Sequence, residues 1–482
     1  MAIRTREQYI ESLRKQKPKV YIAGERVENV AEHPMFNRGI NCVAVAYDCG
    51  NDPRYKELAV VDSPLTNEKV SRWDHLIGNE QDALNKVRLL REMGNYLVPC
   101  SYRCITIDML LGAWAISYDI DKKYNTDYHQ RVVETVKDIQ RKDLVIGGAL
   151  IDPKGDRSLR PSKQVDPDMY LHVVERRSDG IVVRGAKAHS TSAPYTNMLC
   201  VMPGSRPLQE DEKDYAVGFF TPVDTEGITY ICRPPAIPSQ PKELENPFSS
   251  RFGGHVEAFA VFEDVFIPWE RVFMCGEYEF VGPLIDVFSA SHLMSKCGCR
   301  PASIDLSIGA VALIADYNGT DRGRHIREYL TEMIMNANLT YSCGLAAAVE
   351  GSKHDSGVYI PKNALGYTGK AFAAKQLGED RYFMQEAAGG LVVTMASEKD
   401  YRSPETGKYL EKYYKGREGV PTEHRVRAFR LIEDLTASDY AGWYHGMAVS
   451  GGGTPGMLRA AISLDYDLEA SKRKAKRAAG IE

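Results

Sequence analysis

Between Asn79 and Ile120 apolar residues recur at intervals of three and four, in NEQDALNKVRLLREMGNYLV and then in SYRCITIDMLLGAWAISYDI. That is the period of helices with one buried face. An earlier start signal is TREQ, in which Thr5 and Gln8 have capping-box spacing. These patterns predict an α-helical domain over residues 1–143. From about residue 144 the period drops to two. MYLHVVERRSDGIVVRGAKAHST reads as two strands joined through Asp179-Gly180, a hairpin signal, and YAVGFFTPV, GITYICRPPA and VEAFAVFEDVFIPW continue the alternation. A central β domain, barrel or sandwich, is predicted over 144–276. Long helical patterns then return in SIDLSIGAVALIADY, IREYLTEMIMNANLTYSCGLAAAVEG and VRAFRLIEDLTASDYAGWYHGMAV, predicting a C-terminal helical bundle over 277–482. The class is α+β, with a site expected where the three segments meet.

Composition narrows the partners. The chain has 482 residues with 43% hydrophobic and 26% charged content, enough for sizeable cores. Lys plus Arg total 61 against 65 Asp plus Glu, which offers no electrostatic case for nucleic acid or a membrane surface. MAIRTREQYIESLRKQKP lacks a signal-peptide core, and no later apolar run approaches a membrane span. A cytoplasmic enzyme of a small molecule is expected. In that compartment the ten cysteines stay reduced, so closely spaced ones point to metal or redox work. The basic tail SKRKAKR reads as a solvated helix end.

Two pairs stand out. In PCSYRC, a helix starting at Pro99 would put Cys100 and Cys104 on one face of its first turn, where the helix dipole would lower their thiol pKa values. In SASHLMSKCGCR, His292 and Cys299 lie about 20° apart around a helix axis, whereas Cys297 lies about 140° from the histidine. Pro301 would kink or stop that helix. Three cysteines and one histidine suit a structural zinc or an iron–sulfur cluster, and spacing does not choose between them. GGALIDPKGDRS and AKAHSTSA are loops or strand ends able to line a ligand, and SGGGTPGMLRA could cradle a phosphate, with Thr454 as N-cap and Pro455 at the first helical position. Glu257 falls on a strand with a buried face, which makes it an acid/base candidate.

Taken together, DPKGDRSLRPSKQVDPDMYLHVVERRSDGIVVRGAKAH, FEDVFIPWERVF, QEAAGG and SGGGTPG resemble the 4-hydroxybutyryl-CoA dehydratase branch of the 4-hydroxyphenylacetate 3-hydroxylase flavoprotein family. The resemblance implies an acyl-CoA dehydrogenase-like fold, with an N-terminal helical domain, a central β-barrel domain and a C-terminal helical bundle. It also implies FAD, an acyl-CoA substrate and a homotetramer. The dehydratases hold a four-iron four-sulfur cluster with the spacings C-x3-C and H-x6-C, matched here by Cys100, Cys104, His292 and Cys299. The hydroxylases are monooxygenases without a cluster, and an aromatic monooxygenase is the alternative reading. The implied reaction is a redox-neutral radical dehydration, with vinylacetyl-CoA isomerisation by the same proton transfers. A displaced His292 could act as base there, and Glu257 matches an active-site glutamate. Leu150, Ile151, Asp152 and Lys154, with His189, Ser190 and Thr191, resemble flavin contacts. Gln385, Gly389 and Gly390 resemble the segment reaching a neighbouring subunit's FAD, and Ser450, Gly451 and Gly452 a further flavin loop. The chain departs at Lys296, where the dehydratases have tyrosine, at Arg300, where they have lysine, and at Met447, aligned with a second glutamate. Lys296 and Arg300 are where its catalysis is expected to differ, so an altered substrate is expected.

Overall fold

The computed structural model describes residues 3–204, 207–236 and 242–481. Thr5 caps helix Arg6–Lys15 with the full capping box. Helices Asn37–Asn51, Glu80–Glu92, Cys104–Tyr124 and Tyr128–Lys142 follow. Among them lies the first departure from the predicted pattern. Strands Lys19–Ile22 and Glu25–Val27 form a hairpin, and the first pairs in parallel with Ile228–Arg233. The mainly helical N-terminal segment therefore lends two strands to the central sheet.

That sheet has six strands, in the order Glu25–Val27, Lys19–Ile22, Ile228–Arg233, Glu257–Pro268, Gly180–Thr191 and His172–Arg176. A second sheet orders Val272–Cys275, Val217–Pro222, Met198–Val201 and Ile146–Ala149. Phe219 of one meets Phe262 of the other edge-on, ring centroids 6.3 Å apart, in a shared apolar core. The β segment is thus two packed open sheets, and the expected barrel is not closed. The Asp179-Gly180 hairpin forms as expected, Arg177 N–H donating to the Gly180 carbonyl at 2.8 Å.

The C-terminal part is helical: Val281–Asn318, Arg324–Val349 and Asn363–Ala388, then shorter helices that include Thr422–Thr436, Asp439–Ser450, Pro455–Asp465 and the exposed basic Leu468–Ala478. The apolar pattern read through Ala437 as one helix breaks there, because the Ser438 side chain caps the next one. Pro301 does not end its helix, which runs on to Asn318. Proline removes one backbone bond, but burial of the helix against its neighbours outweighs that loss. Two glycines permit this packing. A Cβ on Gly344 would lie 2.6 Å from Cys297 Cβ, and one on Gly369 would lie 2.5 Å from Cys297 Sγ. Contrary to the reading of the apolar runs, the stretch Tyr278–Asn318 is long and apolar enough by composition to cross a bilayer. Here its apolar positions, such as Leu284, Met294 and Val311, are buried inside the protein. Helical, β and helical segments thus follow in the predicted order.

Candidate active site

The site is organised by a residue the sequence did not single out. Asp108 lies one turn after Cys104 on helix Cys104–Tyr124 and is fully buried. One carboxylate oxygen takes hydrogen bonds from the Lys86 ammonium and from Ser291 Oγ, the latter at 2.7 Å. The other lies 2.8 Å from His292 Nδ1. Lys86 also donates to Ser291 Oγ at 2.7 Å. A carboxylate on Nδ1 fixes the tautomer with the proton there and leaves Nε2 with its lone pair, the arrangement that second-shell carboxylates impose on metal-binding histidines. Burial and then Lys296 lower the His292 pKa against the pull of Asp108. That shift favours the neutral ring, the form able to bind a metal.

The cysteines surround the same region, with one correction to their local structure. Helix Cys104–Tyr124 begins at Cys104 itself, and Cys100 precedes it. Tyr102 between them takes a left-handed φ of 61°. The two are therefore not on one helical face; the reversed backbone instead lets Tyr102 N–H donate to Cys100 Sγ at 3.3 Å. The expected lowering of thiol pKa values is overturned at Cys104, and Cys299 is raised as well. Burial, then Asp108 and Cys100, raise Cys104, and burial raises Cys299 against the pull of Lys296 and Arg300. Lys296, 8% exposed, feels all three sulfurs. They hold its ammonium above its ordinary pKa although burial, the largest influence, pulls it down. Cys100 and Cys299 line one apolar cavity with Phe248, Leu377, Tyr440 and Tyr444. A single zinc needs its donors about 2.0–2.3 Å from one point, and among the described residues no three His, Cys, Asp or Glu side chains converge in that way. Soft sulfur donors from two segments, plus a neutral imidazole with a free nitrogen, fit a cluster larger than one ion. Cys297 is fully buried at the glycine contacts, its Sγ 3.7 Å from the Gly366 carbonyl.

On the β side, Glu257 opens strand Glu257–Pro268 opposite Thr191 in the register. Thr191 Oγ1 donates to Glu257 Oε2 at 2.6 Å. Burial raises the Glu257 pKa, opposed by that hydrogen bond and by His255, Arg233 and Lys296. Glu257 and Lys296 thus face one another electrostatically across the junction of sheet and helix. His255, unremarked in the sequence, ties the two sides together. Its Nε2 lies 2.9 Å from the Cys100 carbonyl and its Nδ1 2.9 Å from Ser192 Oγ. Burial brings its pKa down to about 4.

The loop Leu150 to Lys154 is stitched to strand Gly180–Thr191. Ala188 N–H donates to the Ile151 carbonyl at 2.8 Å, and Lys187 Nζ reaches the Leu150 carbonyl at 3.4 Å and Asp152 Oδ1 at 2.5 Å. His189 follows with a φ of 37°, and Ser190 Oγ is buried without a hydrogen-bond partner among the described residues. An orphaned hydroxyl beside a fixed loop fits a polar ligand such as a flavin. Of Ser450, Gly451 and Gly452, the last lies against His292, where a Cβ on Gly452 would sit 3.5 Å from Nε2. Thr454 caps helix Pro455–Asp465 as predicted. Gln385, Gly389 and Gly390 are exposed at the far end of helix Asn363–Ala388. Arg300 is buried and donates to Tyr444 Oη at 2.8 Å and to Met447 Sδ at 3.5 Å.

Comparison with known proteins identifies the family. Residues 5–274 match the family described as 4-hydroxyphenylacetate 3-hydroxylase N terminal, and residues 281–480 its C-terminal counterpart. The 4-hydroxybutyryl-CoA dehydratase/vinylacetyl-CoA-Δ-isomerase of Clostridium aminobutyricum is 38% identical over 99% of both chains. The 4-hydroxyphenylacetate 3-monooxygenase oxygenase component of Thermus thermophilus is 27% identical, covering 91% of this chain and 89% of its own. The oxygen-tolerant archaeal 4-hydroxybutyryl-CoA dehydratase of N. maritimus superposes with a TM-score of 0.95 at 38% identity, over 100% of this chain and 95% of that one. A mutant of HpaB complexed with FAD superposes with a TM-score of 0.88 at 25% identity, over 98% of each chain. The chain belongs to the 4-hydroxyphenylacetate 3-hydroxylase family and is an enzyme of its 4-hydroxybutyryl-CoA dehydratase branch.

Proposed function

We propose that the protein is an FAD and iron–sulfur dependent dehydratase of a hydroxyacyl-CoA resembling 4-hydroxybutyryl-CoA, with an accompanying vinylacetyl-CoA isomerase activity. The observation that carries this reading is the Asp108-oriented His292, its Nε2 free, beside a Lys296 ammonium that also feels Cys100, Cys104 and Cys299. These four would hold the cluster. Leu150, Ile151, Asp152, Lys154, His189, Ser190 and Thr191 would hold the flavin, with Gln385, Gly389 and Gly390 serving a neighbour's flavin in a homotetramer. When bound, the flavin supplies a one-electron acceptor and the cluster a Lewis acid for a departing hydroxyl.

The chain's own residues supply the proton handling. Glu257, with its pKa raised and its orientation set by Thr191, can take a proton from the acyl chain and keep it in a desolvated place. His292, once displaced from the cluster, could accept a second at Nε2, and Asp108 would stabilise the imidazolium that results. Lys296 and Arg300 add fixed positive charge beside Cys299 and Cys100, at the end of the site where a departing hydroxyl would be received. Lys296 cannot accept the hydrogen bond a tyrosine would, and Met447 cannot move a proton. An acyl group differing from 4-hydroxybutyryl is therefore expected. The test is anaerobic purification with iron, sulfide and flavin analysis, then assay for crotonyl-CoA from 4-hydroxybutyryl-CoA and from hydroxyacyl-CoA analogues. Brown protein with about four irons per chain, dehydrating one of these, supports the reading. Iron-free yellow protein that hydroxylates a phenol with reduced flavin overturns it.

A further inference from the structure

One buried cation near this site has no part in the chemistry above. Lys370, on helix Asn363–Ala388, is 1% exposed. Its ammonium donates to the Val449 carbonyl at 2.6 Å and to the Gly453 carbonyl at 2.7 Å. Val449 belongs to the last turn of helix Asp439–Ser450, where carbonyls lack partners within the helix and a positive charge is favoured. The two carbonyls bracket Ser450, Gly451 and Gly452, so one side chain closes both ends of the glycine loop. The loop needs such a clasp because Gly452 and Gly453 take φ values of 80° and 99°, and glycine restrains them little. Its path matters because of what it touches. A Cβ at Gly452 would lie 2.9 Å from Leu293 Cδ2, 3.3 Å from His292 Cδ2 and 3.5 Å from His292 Nε2.

We propose that Lys370 is a positioning residue: by clasping Val449 and Gly453 it holds Gly452 against His292 and so fixes the space in which Nε2 would meet an iron of the proposed cluster. Two features argue against a lysine placed there for packing alone. The ammonium is spent on the two carbonyls that bracket the loop, with no carboxylate partner among the described residues. It is also kept in place although burial, then Arg300 and Lys296, bring its pKa down to about 7.

The inference rests on the cluster reading, and its test separates the two. The holoenzyme is prepared anaerobically as wild type, Lys370→Met and Gly452→Ala, the last altering the loop at His292 while leaving the lysine. Three quantities are read: thermal midpoint, rate of iron loss to a chelator, and the paramagnetic resonance of the reduced cluster. Both variants are expected to lose iron about tenfold faster or more, the scale of outer-shell changes at metal sites, and to show the same altered resonance. A purely structural lysine would lower the thermal midpoint of Lys370→Met and leave its resonance as in wild type, which overturns the inference. If Lys370→Met does not fold, Gly452→Ala decides: an unchanged resonance and iron-loss rate overturn it. Wild type without iron refutes the cluster reading itself; iron-loaded wild type with unaltered variants refutes only the role of Lys370.

Discussion

Replacing Asp108 by asparagine separates the structural and ligand-orienting roles of one buried carboxylate. The change keeps the side-chain shape, removes the charge that faces Lys86, and offers His292 Nδ1 a weaker acceptor. Two costs follow. Lys86 and Asp108 are 1% and 0% exposed in their side chains, and stranding one member of a buried ion pair costs about 3–5 kcal/mol. Loss of the carboxylate behind a ligating histidine costs about 10–100-fold in metal affinity, or about 1.4–2.7 kcal/mol. The two can be told apart with the double variant Lys86→Met, Asp108→Asn. It no longer buries an unpaired ammonium, so most of the lost stability should return. His292 still lacks its carboxylate, so iron affinity should stay low. Denaturation of the apoprotein reads the first quantity, and iron bound after anaerobic reconstitution at graded chelator concentrations reads the second. The reasoning is refuted if Asp108→Asn binds iron like wild type, or if Lys86→Met restores iron binding along with stability.

Cys299→Ala should abolish the cluster, whereas Cys297→Ala should keep it and lose only packing against Gly344 and Gly369; iron analysis of the two distinguishes them, and the reverse outcome would sink the ligand assignment. Glu257→Gln keeps the acceptor for Thr191 but cannot take a proton, so turnover should fall about 10²–10⁴-fold with iron and flavin content unchanged. Asp380 is 3% exposed, and burial raises its pKa to about 7 despite a hydrogen bond from Asn336. The folded chain then keeps a proton that the unfolded chain releases above about pH 4, so this group's contribution to stability falls between about pH 4 and 7 and stays low above 7. Asp380→Asn should therefore stabilise the protein at pH 8 by up to about 4 kcal/mol and leave it nearly unchanged at pH 4, as read by denaturation at the two pH values.

The sequence carried the spacings of the proposed ligands but not what surrounds them. The shared face of His292 and Cys299 could be read because helix Val281–Asn318 continues unbroken through both. Cys100 could not be placed, because the left-handed φ of Tyr102 interrupts a pattern that otherwise looks helical. Asp108 had a legible signal in its four-residue spacing from Cys104, yet its meaning depends on Lys86 and His292, brought together only by tertiary packing. Lys370 and His255 were silent for the same reason. The barrel expectation failed because strand alternation says nothing about closure, and the strand Lys19–Ile22 lay in a segment dominated by helices. Pro301 misled because burial on both sides of it outweighs one missing backbone bond.

The most direct test of the four-ligand site is electron–nuclear double resonance of the reduced cluster in protein grown with ¹⁵N-labelled histidine. The account predicts one strongly coupled histidine nitrogen, abolished in His292→Cys while the cluster itself persists. A cluster with no histidine coupling, or a coupling that survives His292→Cys, would contradict it.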